Sequence, residues 1–68
     1  MSADNYKLIR KARGGYVVSD ESASSDDVSP VSRGVWWATL KEAYAFAEED
    51  YAEYGIHLSP EVQEDLPS

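Results

Sequence analysis

Residues 36–55 constrain this chain more than any other stretch, because they hold a start signal, an apolar stripe and a stop signal for one amphipathic helix. Thr39 followed by Glu42 is a capping box, in which each side chain can satisfy an amide left orphaned at the helix start. Leu40, Ala43, Tyr44, Ala47, Tyr51 and Tyr54 then recur at spacings of three and four, which makes one apolar stripe with Phe46 at its edge. Gly55 follows as the residue that most easily adopts the left-handed conformation closing a helix. The pattern predicts a helix over residues 39–54.

Upstream, residues 5–12 and 16–20 read as a hairpin through Arg13-Gly14-Gly15. A two-residue Gly14-Gly15 loop would scatter the apolar side chains over both faces. A three-residue loop with Gly15 left-handed puts Tyr6, Leu8, Ala12, Tyr16 and Val18 on one face, and leaves Lys7, Ile9, Lys11 and Val17 on the other. Residues 35–38 read as a third short strand. Neighbouring strand residues point to opposite faces, so of Trp36 and Trp37 only one can lie under the helix. The expected fold is a two-layer α+β domain, a three-stranded antiparallel sheet with one main helix packed across it.

Residues 20–34 between hairpin and third strand are rich in serine and acid, and predict a mobile loop. After Gly55, Ser59 and Pro60 start a short helical turn that Pro67 ends, with Ile56, Leu58, Val62 and Leu66 available to pack. At 68 residues the chain reads as one small domain, near the size where a single core is only marginally sufficient. The absence of cysteine excludes a disulfide framework and a thiolate zinc site. No apolar run is long enough to span a bilayer, and Met1-Ser2-Ala3-Asp4 lacks the basic and apolar regions of a signal peptide. A cytoplasmic protein is the expectation.

Signals for chemistry are sparse. His57 is the single histidine and has no evident second ligand. Nothing resembles a nucleophile elbow or a triad. Asp20-Glu21 with Asp26-Asp27 could hold a hard cation weakly, but they lack the alternating oxygen ligands and central glycine of a calcium loop. Gly14-Gly15 is a turn, since no helix start follows it to cradle a phosphate. The expectation is a non-enzymatic protein without metal or cofactor.

Charge is distributed unevenly. Residues 1–19 carry a balance of +3 and residues 20–68 one of −10, within a net charge of −7. Such a chain should repel nucleic acid and anionic membranes and attract basic protein surfaces. On the predicted helix Glu42, Glu49 and Glu53 fall within about 40° of one another, opposite the apolar stripe, with Glu48 and Asp50 beside them. These acids work against the helix. Glu49 and Glu53 are like charges one turn apart, and the group crowds the end where the helix dipole disfavours anions, each effect a few tenths of a kcal/mol and at most about 1. Glu42 and Glu53 would lie about 16 Å apart along the axis, a length over which one DNA strand presents several phosphates. The bland alternative is a solvated face, of the kind that keeps proteins soluble in a high-salt cytoplasm.

The short length, the hairpin over residues 7–18 with its Arg13-Gly14-Gly15 turn, and residues 39–47 opening a single helix resemble small phage or mobile-element proteins. Among these are anti-CRISPR and anti-restriction inhibitors that act as acidic nucleic-acid mimics. The resemblance covers architecture and charge over residues 5–55 and carries no diagnostic motif, and the basic hairpin confines any mimicry to the helix side. It implies a cytoplasmic inhibitor that occupies a basic nucleic-acid-binding surface of a host protein, without binding nucleic acid or membrane itself. Its expected contacts are Glu42, Glu48, Glu49, Asp50 and Glu53, with Trp36 or Trp37 and the loop acids Asp26 and Asp27 as secondary ones. The alternative is a structural or homodimerising domain that uses the far sheet face through Ile9, Val17 and an exposed tryptophan.

Overall fold

Two eight-residue strands, β1 (Asn5–Ala12) and β2 (Gly15–Ser22), form an antiparallel hairpin in which Ala12 pairs with Gly15. The structure, a computed structural model, describes residues 4–66; Pro67 and residues 1–3, on which two expectations bear, lie outside them. The loop is Arg13-Gly14 alone, with φ of 54° and 72°. Positive φ at both central positions matches the right-handed twist of the flanking strands. Gly15 is therefore a strand residue rather than the expected left-handed turn residue. Its missing side chain has a use, since a Cβ there would sit 2.6 Å from Trp36 Cζ2 and against the Trp37 carbonyl.

This shorter loop shifts the register and turns β1 over relative to the sequence-based expectation. Ile9 pairs with Val18 and Lys11 with Tyr16, so these four and Lys7 face the helix layer, while Tyr6, Leu8 and Ala12 face away. Lys7 is 5% exposed. It holds its ammonium 2.5 Å from Asp20 and 3.5 Å from Asp50, so that the aliphatic stem fills the layer and the charge reaches the rim.

The chain continues through a 3-10 turn (Val31–Arg33), β3 (Val35–Trp37), α1 (Leu40–Glu49), β4 (Ile56–Leu58) and α2 (Pro60–Glu64). The sheet has four strands in the order β3-β2-β1-β4, with β3 antiparallel to β2 and β4 parallel to β1. The α+β class and the single main helix stand as expected, but the three-stranded antiparallel sheet does not. The missing strand, Ile56–Leu58, is too short for an alternation signal, and β1 templates it: the Lys7 amide donates to Gly55 O at 2.9 Å and the Ser59 amide to Ile9 O at 3.0 Å.

The same templating shortens α1. Its start is as expected, with the Glu42 amide donating to Thr39 Oγ1 at 3.2 Å, although the Glu42 carboxylate accepts from the Thr39 hydroxyl at 2.9 Å rather than from its amide. Its end is not: Asp50 is already extended, at φ −107° and ψ 136°. Three acids in succession oppose the helix dipole with no basic residue in the last turn, while the Tyr54 amide gains a bond to Asn5 O at 3.1 Å. Gly55 has the expected positive φ of 77°, but it closes a turn leading into β4, its amide donating to Ala52 O, and not the helix.

Ile9, Val18, Ala43, Ala47 and Val62 form the core, with Tyr16, Trp37, Leu40, Phe46, Ile56 and Leu58 packed around them. Phe46 is half-buried, its ring 5.1 Å from that of Trp37. Val62 brings α2 into this core, and the exposed Asp65 carboxylate just beyond α2 accepts from Lys11 Nζ at 2.6 Å and Tyr16 Oη at 2.9 Å. Those two donors, Lys11 first, hold the Asp65 carboxyl below the usual aspartate range.

On the far face the connector returns across β2. Gly34 lies against Val17, and the Ser29 amide donates to Glu21 Oε1 at 2.8 Å. Glu21 is 4% exposed and also accepts from the Ser19 hydroxyl at 2.6 Å, with Arg10 Nη2 3.7 Å away. Burial pushes the Glu21 carboxyl up, but Ser19, Ser29 and Arg10 together outweigh it and leave it below the ordinary glutamate range.

Two outcomes follow. Arg13→Asn relieves a left-handed non-glycine position and creates the Asn-Gly pair that such a loop favours, so urea denaturation should show a gain of roughly 0.5–1 kcal/mol. A lowered folded-state pKa means that Glu21 contributes stability above the ordinary glutamate range, lost as pH falls through its folded value. Glu21→Gln should therefore be less stable than wild type at neutral pH, and the gap should narrow steadily in a denaturation series taken into acid.

Candidate partner-binding surface

Because α1 stops at Glu49, the expected carboxylate ridge divides. Glu42, Glu48 and Glu49 are exposed on α1. Asp50 is the first residue past it and turns its carboxylate to Lys7, while Glu53 lies in the turn before β4. Among the described residues Glu48, Glu49 and Glu53 have no ion-pair partner. The strip from residue 41 to residue 54 sets five carboxylates against Lys41 alone.

The early stop also moves two tyrosines, and a third is exposed within the helix. Tyr44, Tyr51 and Tyr54, expected under the helix, are 43%, 82% and 53% exposed. Past Glu49 the residues no longer recur at helical spacing, so Tyr51 and Tyr54 leave the apolar stripe. Tyr44 lies on the flank of α1 beside the line of Ala43 and Ala47, the helix's two buried residues. Exposed aromatic rings thus alternate with unpaired carboxylates along one stretch of chain, a mixture suited to contact a cationic and partly apolar partner. Sequence reasoning placed these tyrosines in the core. The signal against that was the run Glu48-Glu49-Asp50, which marks a poor helix end.

The remaining candidates lie elsewhere. Trp37 is in the core. Trp36 is 45% exposed on the far face, where its indole Nε1 donates to Ala12 O at 3.0 Å over Gly15. The sheet therefore lies between Trp36 and α1, and the two cannot form one continuous contact surface. Asp26 and Asp27 are exposed in the connector, where the Asp27 amide donates to Ser25 Oγ at 3.2 Å, and among the described residues no hydrogen bond or ion pair joins them to α1. Of the three groups expected on a far-face dimer surface, Ile9 is fully buried on the helix side and Val17 is 4% exposed. Only Trp36 remains available there.

His57 packs its ring 4.6 Å from that of Tyr6 and places Nε2 3.0 Å from Tyr54 O. Asp20 is engaged by Lys7 rather than gathered with Asp26 and Asp27. Among the described residues no group of three metal-capable side chains comes together, and no helix is long and apolar enough to cross a membrane. No protein family, curated protein or solved structure matches the chain.

The fold gains nothing from the acids at the end of α1. Glu48→Lys and Glu49→Lys should each raise stability by a few tenths of a kcal/mol, since a cation in the last helical turn is favoured where an anion is not. Urea midpoints that fall instead would show that these carboxylates serve the fold.

Proposed function

We infer that the protein is a non-catalytic acidic binding module whose partner is a basic surface of another protein, of the kind that ordinarily holds nucleic acid. The observation that carries this reading is the alternation of Glu48, Glu49 and Glu53, unpaired among the described residues, with Tyr44, Tyr51 and Tyr54, all exposed on one stretch of chain. A merely solvated face would have no need of rings 43% to 82% exposed, and a dimer face would not concentrate negative charge on a chain of net charge −7. The action of an inhibitor follows from the same chemistry. Carboxylates seated on cationic side chains exclude the phosphates those side chains would otherwise bind.

The length of the ridge sets its reach. Glu42 to Glu49 spans about 10 Å of helix, close to three phosphate spacings of one DNA strand rather than the longer stripe expected from the sequence. Glu53 and the tyrosines of the following turn extend the surface past the helix end, where aromatic rings replace charge. The contact is therefore compact and mixed, with charge setting encounter and orientation and the rings supplying buried area.

The test compares wild type with Glu48→Lys/Glu49→Lys as bait in host extract at low and high salt. The reading expects a stoichiometric nucleic-acid-binding protein that wild type retains at low salt, that salt releases, and whose nucleic acid the wild-type chain displaces in competition. The double variant should bind that partner at least about tenfold more weakly, equivalent to about 1.4 kcal/mol. Equal capture by wild type and variant overturns it.

A further inference from the structure

Beside the acidic ridge, between α1 and the chain just beyond α2, lies a shallow, mainly apolar groove of about 480 Å³, lined by Leu40, Tyr44 and Ala45 of α1 and by Leu66, together with Lys41 and Glu48. Leu66 and Tyr44 are each 43% exposed, so the groove leaves apolar surface open that the fold could have closed. Resting on the acidic-partner reading above, the geometry points to this groove as the anchor site for one amphipathic, basic helix of the partner protein, seated against α1 with its apolar stripe on Leu40, Tyr44 and Leu66 and its cations over Glu48 and Glu49.

Three observations select that occupant. The groove runs along a helix, and Ala45 among its lining residues carries only a methyl group, so a second helix can approach α1 closely there. Charge complementarity sets the sign: Glu48 rims the groove, Glu49 and Glu64 are exposed on the adjoining turns, and Lys41 is the one cation bordering it. The net charge of −7 disfavours a second copy of this chain at the same surface. An apolar anchor flanked by Lys or Arg satisfies both the floor and the rim, which neither a purely polar basic loop nor a neutral apolar helix does.

The proposal separates an apolar, geometric requirement from the electrostatic one. Two synthetic peptides of identical Leu and Lys composition provide the probe, one with leucines at helical spacing and one scrambled, titrated by fluorescence anisotropy at low salt. The amphipathic peptide should bind wild type at least tenfold more tightly than its scrambled isomer. Ala45→Lys, which fills and recharges the groove on an exposed position, and Leu66→Ser, which removes a wall, should each abolish that preference while circular dichroism shows the fold intact. Glu42→Lys/Glu49→Lys should weaken both peptides alike and keep the preference. Equal binding of the two peptides to wild type overturns the groove but leaves the acidic-partner reading standing, whereas binding of neither overturns both. A preference that survives both groove variants places the apolar contact elsewhere and rejects this site.

Discussion

Strand β1 is hydrogen-bonded on both edges, to β2 along its whole length and to β4 over Lys7, Leu8 and Ile9, and almost every other feature follows from that position. Its antiparallel partner sets which residues face the helices. Its parallel partner takes the chain after α1 and fixes where that helix must end. Ile9, buried completely between the layers, is the point at which both constraints meet. A central strand of this kind is specified by hydrogen bonds on two sides and by the burial of one face, so a shift of one residue would expose the core.

That placement brings Lys7 under the helix layer, where an apolar residue would ordinarily lie, and puts the exposed Lys11 on the same face. Lys7 resolves the conflict through its length, since the stem packs and the ammonium meets Asp20 and Asp50 at the rim. Lys11, at the exposed end of that face, meets Asp65 beyond α2. The basic half of the chain is in this way partly neutralised by acids from the acidic half, and the carboxylates without an ion pair among the described residues include those of α1 and the turn that follows as well as Asp26, Asp27, Glu61 and Glu64. The arrangement explains why a chain with a basic hairpin nevertheless presents an acidic surface. On the far face the buried Glu21, fed by Ser19, Ser29 and Arg10, ties the serine-rich connector to β2.

Function on this reading rests on what the fold leaves unused. The helix supplies a rigid mount for Glu42 and Glu49 on one face and Glu48 beside them, the turn after it supplies aromatic area, and the groove that Ala45 helps to line supplies an apolar seat. The exposed carboxylates and the rings of Tyr51 and Tyr54 lie outside the core, and the carboxylates at the helix end oppose the helix dipole. On this reading specificity comes from combining requirements: a partner is to be basic and to offer an apolar stripe on a helix that can lie against α1.

Much was legible in the chain itself. The Thr39–Glu42 start signal, the α+β class, the hairpin with its turn near Gly14, the split of the two tryptophans between faces and the Ser59-Pro60 start of α2 all follow from local backbone and capping chemistry, which depends on neighbours in sequence. The acids of the helix surface were legible for the same reason, because charge needs no fold to be counted. Three things were settled only in the tertiary structure: the face that β1 presents, the end of α1 and the existence of β4. Each is a contest between a local preference and hydrogen bonds to a distant strand. Helical periodicity favoured continuing to Tyr54, yet pairing of residues 54–58 with β1 supplied backbone partners that a helix end crowded with like charge could not match. The exposure of Tyr51 and Tyr54, and with it the character of the candidate surface, was decided by that contest.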